Sequence, residues 1–344
     1  MADDLVAASR ASIEKGSKSF ALASKLFDPV HRGRATLLYA WCRYADDVID
    51  GQDAGHGRIE STISPVERLI DLESRTKEAL CLGRHPGGRR DLSRPDWVPA
   101  FAGMTAQEAM PFAALARVAA ETGMPDRYPL DLIEGFRSDV EERAFGTFDD
   151  TLTYCYHVAG CVGVMMAIVM GVSSDDRATL DRACDLGLAF QLNNIARDVV
   201  EDAANGRCYL PEAWLAEAGL SSGRHPREGG DDVGEYFAAP HNRAALATVV
   251  ARLVDAAERY EASSRFGTPA LARRAAWAVL AAADIYGGIG RRVRSQGAEA
   301  LGRRVTTSRA DKLWAVARTL PLSFSRSKRW PAPGPSRAGL WTMP

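Results

Sequence analysis

Two acidic clusters stand far apart in this chain: Asp46-Asp47-Val48-Ile49-Asp50 and Asp198-Val199-Val200-Glu201-Asp202. Each sets two aspartates four residues apart, Asp46 with Asp50 and Asp198 with Asp202. On an α-helix, residues i and i+4 lie one above the other on the same face, so each cluster forms a small carboxylate ledge. A carboxylate cannot bind a diphosphate directly, because both are anions. Two ledges facing each other across a helical bundle would hold Mg²⁺, a hard cation that bridges carboxylates to phosphates, and the metal would orient the substrate and neutralise a departing diphosphate.

The neighbouring residues extend each ledge. Tyr39, Arg43, Asp46 and Asp50 follow a spacing of i, i+4, i+7, i+11, and Gln191, Asn194, Asp198 and Asp202 follow i, i+3, i+7, i+11. Both sets return to nearly one helix face and form a polar stripe. The segments that carry them are otherwise apolar, with Leu37, Leu38, Ala40, Trp41 and Val48 in the first and Leu186, Leu188, Phe190, Ile195 and Val199 in the second. One acidic helix face alone would read as a solvated surface. Two matched stripes, with Arg43 and Arg197 within a turn of the aspartates, favour a site in which the arginines contact phosphate oxygens.

The elements that must position these residues are helices. Strand-like alternation is nearly absent, and the apolar periodicity predicts helices over 12–27, 31–50, 65–82, 106–121, 129–144, 151–170, 175–203, 211–218, 240–265, 269–293 and 308–319. Asp149-Asp150-Thr151 and Ser173-Ser174-Asp175 supply capping oxygens, and Pro211 and Pro269 suit a first helical turn. The expected fold is all-α, a single-domain helical bundle around a central apolar cavity. The run from Val158 to Val172 is the longest uncharged apolar stretch. It falls short of the roughly 20 residues that a membrane span needs and reads as a buried helix. Its Gly, Ala, Val and Met residues would line a dry wall with room for a hydrocarbon chain.

With 344 residues, 46% hydrophobic and 25% charged, the chain has ample material for a buried core. A net charge of −1 gives no reason to expect a nucleic-acid partner. The six cysteines show neither Cys-x-x-Cys nor zinc-type spacing, and no basic region followed by an apolar core opens the chain, so a reduced, cytoplasmic protein is expected. Two stretches rich in Gly, Pro and Arg, at about 84–105 and 221–232, share Arg-His-Pro and read as inserted surface loops. A basic patch at Arg84, Arg89, Arg90 and Arg94 is the less favoured reading of the first. Residues 323–344 form a basic tail with Trp330 and Trp341. A disordered tail is the favoured reading, ahead of an anchor on the inner face of the cytoplasmic membrane.

Three segments carry a resemblance. They are Tyr39-Ala40-Trp41-Cys42-Arg43-Tyr44-Ala45-Asp46-Asp47-Val48-Ile49-Asp50, Tyr154-Cys155-Tyr156-His157-Val158-Ala159-Gly160, and Gln191-Leu192-Asn193-Asn194-Ile195-Ala196-Arg197-Asp198 through Asp202. Together with Gly206-Arg207-Cys208-Tyr209-Leu210-Pro211 and Gly339-Leu340-Trp341-Thr342, they resemble the squalene/phytoene synthase family, with the Tyr-Ala-Trp-Cys-Arg wording on the bacterial phytoene branch. The resemblance implies an isoprenoid synthase fold over residues 1–322 and a Mg²⁺-dependent prenyltransferase, with Mn²⁺ as an alternative ion. It implies head-to-head condensation of two geranylgeranyl diphosphates through prephytoene diphosphate to phytoene, the first committed step of carotenoid synthesis, without NADPH. Other carotenoid-pathway enzymes and a peripheral membrane contact are the partners it implies.

The resemblance also implies residue roles. Asp46, Asp50, Asp198 and Asp202 would bind metal with Asn194, and Tyr154 would handle protons or steady a cation. Phe20, Val158, Val162 and Gly163 would line the hydrocarbon pocket. Tyr39, Arg43, Gln191 and Arg197 would contact substrate, and Tyr286 and Arg304 would close the site near the diphosphates. Arg137, unusual for its position, is expected at the surface. Squalene, hydroxysqualene or dehydrosqualene synthesis from farnesyl diphosphate would use the same residues, and an inactive scaffold with the same fold would be expected to have lost an aspartate. A terpene cyclase usually carries Asn/Ser/Glu in its second motif, a head-to-tail elongase lacks Asn-Ile-Ala-Arg, and a calcium loop needs oxygen ligands that are missing after Asp50.

Overall fold

The computed structural model describes residues 5–10, 24–51, 63–84, 104–221 and 233–344. Helix α1, Pro29–Asp50, begins where the Asp28 carboxylate accepts from the amides of Val30 and His31, has Pro29 in its first turn, and ends at Gly51 in the left-handed region. Helices α2, Pro65–Arg84, α3, Ala106–Thr122, and α4, Arg127–Val140, pack beside it. Thr105 and Glu108 close a reciprocal capping box on α3. Helix α5, Phe148–Cys155, is capped the same way by Thr147 and Asp150. It passes through a π-helical turn, Tyr156–Gly160, into α6, Cys161–Val169.

The central helix is α7, Arg177–Ala204, and its first turn is capped by Asp176, which accepts from the Thr179 amide. Short helices α8, Glu212–Glu217, and α9, Val233–Ala238, lead to α10, Pro240–Ser264. A 3₁₀ turn, Arg265–Ala270, then connects to α11, Arg273–Gln296. A second 3₁₀ turn, Gly297–Gly302, precedes α12, Arg309–Arg329. Helix α7 packs against α10, α6, α11 and the π turn, so both the core and the cavity are organised around it. No strand occurs among the described residues, and the fold is all-α.

Several sequence expectations shift. Pro269 falls inside the 3₁₀ turn, and α11 starts after it, at Arg273. Pro211 sits just before α8, at its N-cap. The helix expected over 12–27 and the two inserted loops lie largely outside the described residues. The helical rod Phe148–Val169 has 22 residues and is apolar enough to cross a bilayer by length and composition. It is instead packed into the bundle, with 61% of its most apolar window buried.

The glycines of this rod serve close packing. A Cβ on Gly163 would lie 2.5 Å from the Ala183 carbonyl oxygen of α7. A Cβ on Gly187 would lie 2.3 Å from the Ala159 carbonyl and 2.7 Å from the Gly160 Cα. Backbone therefore meets backbone where α7 crosses the π turn and α6, which leaves no room for a side chain there.

The C-terminal residues are ordered, in contrast to the expected disordered tail. Helix α12 runs past residue 322 to Arg329. Beyond it, Arg337 reaches the fully buried Asp185 of α7, with Nη2 2.7 Å from Oδ1, and Ser263 also donates to that carboxylate. Arg177 donates to the Met343 carbonyl, and the Trp341 amide donates to the Tyr260 hydroxyl. The Trp341 ring packs against Tyr156 of the π turn. Asp185 is a buried anion that must be compensated, and the tail supplies the cation. The Trp341 ring is thus partly covered by the bundle.

Gly187→Ala forces a Cβ into backbone that cannot yield, so it is expected to destabilise the fold by about 1–3 kcal/mol. Urea denaturation monitored by circular dichroism measures this, and an unchanged midpoint would contradict the close crossing.

Candidate active site

One cavity of about 660 Å³ lies along α7. Its polar end is lined by Tyr39, Arg43, Asp46 and Asp50 from α1 and by Gln191, Asn194, Arg197, Asp198 and Asp202 from α7. The two stripes therefore converge on one opening. Its apolar end is lined by Val158, Val162, Gly163, Met166, Leu186 and Phe190, among others. Leu38, Leu186, Phe190 and Ile195, assigned from sequence to the opposite faces of the stripes, also line this cavity. Tyr154 and Tyr286 do so as well, with Tyr286 stacked on Phe190 at 4.4 Å between ring centroids. Arg304 lies outside the cavity lining but is tied to the rim, with Nε 3.0 Å from Asp198 Oδ1 and Nη1 3.4 Å from Glu201 Oε2. Phe20 lies outside the described residues. Arg137 stays at the surface, paired with Glu73 and Glu134.

Arginines are interleaved with the carboxylates. Arg43 pairs with Asp47 at 2.5 Å and with Asp46 at 3.1 Å, so Asp47 orients the arginine that sequence reasoning assigned to phosphate. Arg197 binds the adjacent Asp198 through both Nε and Nη2. Arg207 was not singled out from sequence, yet it follows α7 and reaches back to Asp50 of α1 at 3.0 Å. It joins the two ledges and lines the cavity.

Two further residues were missed. The Tyr154 hydroxyl donates to Asp139 Oδ2 at 3.1 Å, and the Tyr209 hydroxyl donates to Asp139 Oδ1 at 2.9 Å. The two phenol rings stack at 4.7 Å with an interplanar angle of 15°. Asp139 and Tyr209 both line the cavity. For Arg207 and Tyr209 the signal was present: both fall in the Gly206-to-Pro211 motif just beyond the second ledge. Asp139, one carboxylate among the several acidic residues around the end of α4, gave no such signal.

Burial, reinforced by neighbouring like charge, sets the protonation behaviour. Burial, and then the neighbouring Asp50, Asp47 and Asp139, push Asp46 up to about 6 against the opposing pull of Arg43. Burial followed by the charge of Asp198 pushes Asp202 up to about 7. Asp139 is also raised, chiefly by burial. Burial and the Asp139 charge hold the Tyr154 phenol protonated well beyond its ordinary range, and Tyr209 is raised in the same way. Asp46, Asp50, Asp198, Asp202 and Asn194 are hard oxygen donors of the kind a divalent cation takes, and such an ion would offset the cost of ionising the buried Asp46 and Asp202. Among the described residues, no three His, Cys, Asp or Glu side chains converge into a metal cluster by themselves. The donors form two half-sites that a bridging ligand would complete.

A model of the squalene/phytoene synthase family matches residues 13–311. The 15-cis-phytoene synthase of Paracoccus sp. (strain N81106 / MBIC 01143) is 47% identical over 99% of this chain and 98% of its own length. That of Enterobacter agglomerans is 45% identical over 96% of this chain and all of its own. Among solved structures, a dehydrosqualene synthase in complex with ligand superposes with a TM-score of 0.69 at 24% identity, covering 94% of this chain and 97% of that one. A squalene synthase from Alicyclobacillus acidocaldarius gives 0.65 at 22% identity, covering 86% and 94%. The chain belongs to the squalene/phytoene synthase family, and its fold is the isoprenoid synthase fold of these structures.

The raised value of Asp202 carries a stability consequence. Between the ordinary carboxylate value of 3.8 and about 7, the folded state holds a proton that the unfolded state releases, so stability falls as pH rises through that window. Asp202→Asn is therefore expected to raise the melting temperature of chelator-treated protein at pH 8, where the wild-type carboxylate is ionised. The gain should shrink at pH 5, where the wild-type carboxyl is protonated. Calorimetry at the two pH values decides, and a gain that does not change with pH would refute the crowding argument.

Proposed function

We propose that this enzyme, a prenyltransferase, condenses two geranylgeranyl diphosphates head to head to phytoene. The observation that carries the reading is the convergence of two carboxylate ledges at the mouth of a single apolar cavity, in a chain similar over nearly its whole length to phytoene synthases. In the first half-reaction one diphosphate leaves. The allylic cation joins the double bond of the second substrate, and loss of a proton gives the cyclopropyl prephytoene diphosphate. In the second, the remaining diphosphate leaves, the carbon skeleton rearranges, and a further proton is lost.

Asp46 and Asp50 on one side and Asn194, Asp198 and Asp202 on the other would hold Mg²⁺. When bound, the metal would neutralise charge on the departing diphosphate. The protein's own cations surround the same opening. Arg43, Arg197, Arg207 and Arg304 are held by carboxylates at the rim, and their guanidinium forks suit phosphate oxygens. Beyond the rim, Val158, Val162, Leu186 and Phe190 wall the cavity with side chains that offer a cation no lone pair. Tyr154 keeps its proton and donates a hydrogen bond to Asp139, so it enters the reaction as a neutral phenol and not as a base. Its ring, stacked on Tyr209, offers an electron-rich face to a carbocation.

Incubation of purified protein with Mg²⁺ and geranylgeranyl diphosphate, without NADPH, is expected to yield phytoene, identified by mass spectrometry. Turnover of farnesyl diphosphate alone would move the assignment to the shorter-chain reaction. Asp50→Ala and Asp198→Ala are each expected to lower kcat by at least about 100-fold with the helical circular dichroism spectrum intact. Tyr154→Phe keeps the ring and should retain most turnover, whereas Tyr154→Ala should lose about 100-fold or more. Equal losses in these two variants would assign the role to the hydroxyl.

A further inference from the structure

Helix α12 leaves an apolar face uncovered. Leu313, Ala317, Leu320 and Phe324 are spaced i, i+4, i+7, i+11 and lie on one exposed stripe with Trp314 beside it. Leu313 is 60% exposed, Trp314 66% and Phe324 62%. Next to the stripe, α12 and the start of α11 form a groove of about 250 Å³ lined by Arg273, Arg274, Trp277, Leu320, Ser323 and Phe324. The Arg273 guanidinium lies 4.5 Å from the centre of the Phe324 ring.

The charge around this face has one sign. Each of the two helices carries a single carboxylate, Asp284 on α11 and Asp311 on α12. Both are taken up, Asp284 by Arg318 and Asp311 by Arg292. Arg273, Arg274, Lys328 and Arg329 remain exposed around the aromatic residues, and no acidic residue follows Asp311 in the chain. The face also backs onto the apolar end of the cavity. Gly267, Thr268 and Leu271 line that end, and Arg326 of α12 donates to the carbonyls of Thr268 and Leu271.

We propose that the α12 stripe and the Arg273–Arg274 groove form a docking surface for a bilayer of anionic phospholipid. Exposed aromatic and aliphatic side chains enter the interfacial layer, and the flanking cations pair with lipid phosphates. A second copy of the chain suits the face less well, because the same cations would then face one another. Phe324, Lys328 and Arg329 of the basic tail belong to this surface, whereas its Arg337 and Trp341 turn inward. It places the apolar end of the cavity one helix layer from the membrane.

The test is co-sedimentation of the full-length protein with phosphatidylcholine vesicles, with and without phosphatidylglycerol. Binding should be at least about ten-fold tighter to the anionic vesicles and should weaken as salt is raised. Lys328→Gln/Arg329→Gln is expected to weaken it about 25-fold, at about five-fold per cation. Trp314→Ser/Phe324→Ser should reduce it about ten-fold or more. Both double variants change exposed residues and should keep their circular dichroism spectrum and their turnover of detergent-dispersed substrate. Equal recovery on neutral and anionic vesicles would overturn the proposal. So would binding unchanged in both variants, or a dimer in light scattering that Trp314→Ser/Phe324→Ser dissolves. Vesicle binding is read without catalysis, so its failure leaves the reading of the active site untouched.

Discussion

Repulsion between carboxylates held beside one another in a partly desolvated opening is the constraint around which this molecule is arranged. Asp46, Asp50, Asp139, Asp198 and Asp202 line one cavity, and burial there, with neighbouring carboxylates adding to it, raises the proton affinity of Asp46, Asp139 and Asp202. A fold driven only toward stability would disperse them. Here four arginines hold the group together: Arg43 within α1, Arg197 within α7, Arg207 between the two helices and Arg304 at the rim. Compensation is partial, and the remaining negative charge is what a cation and its diphosphate would meet. The helical scaffold bears the cost, with a long central α7 and glycine crossings that bring backbones into contact.

The helical class and the two ledges were legible from the spacing of aspartates, because helical periodicity converts sequence separation directly into facing. The same logic failed for residues whose relevance depends on chain reversals. Arg207 lies beyond the end of α7, and nothing local indicates that it folds back to Asp50. Asp139 became significant only when α4 brought it under the hydroxyls of Tyr154 and Tyr209, residues distant from it and from each other. The apolar residues assigned to the opposite faces of the stripes turned out to continue into the cavity, because a helix that walls a chamber presents more than a narrow polar stripe to it. The C-terminal tail misled for a related reason. Its basic composition is that of a solvated segment, and only the fold shows that Asp185 awaits Arg337.

The π turn between α5 and α6 adds a local feature that no hydropathy pattern marks. One extra residue per turn widens the helix at Tyr156–Gly160, between Tyr154 at the polar side and Val158 and Val162 along the wall. It occurs where Gly187 of α7 presses against Ala159 and Gly160. The irregularity and the close crossing thus coincide along the cavity wall, where Val158, Ala159 and Gly187 line it. They hold Tyr154 and the apolar wall on one rigid element, which is the condition for keeping a reactive cation in a fixed pose.

The docking of residues 335–343 onto α7, Tyr260 and Tyr156 has a consequence for biogenesis. These residues emerge from the ribosome after every other segment described, and until they do, Asp185 has no Arg337 to meet it. Until then only Arg182 and the Ser263 hydroxyl offset its charge, and a weakly compensated anion in the interior disfavours final compaction. The nascent chain is therefore expected to wait in a loosened state, with the tail acting as a latch that is thrown last.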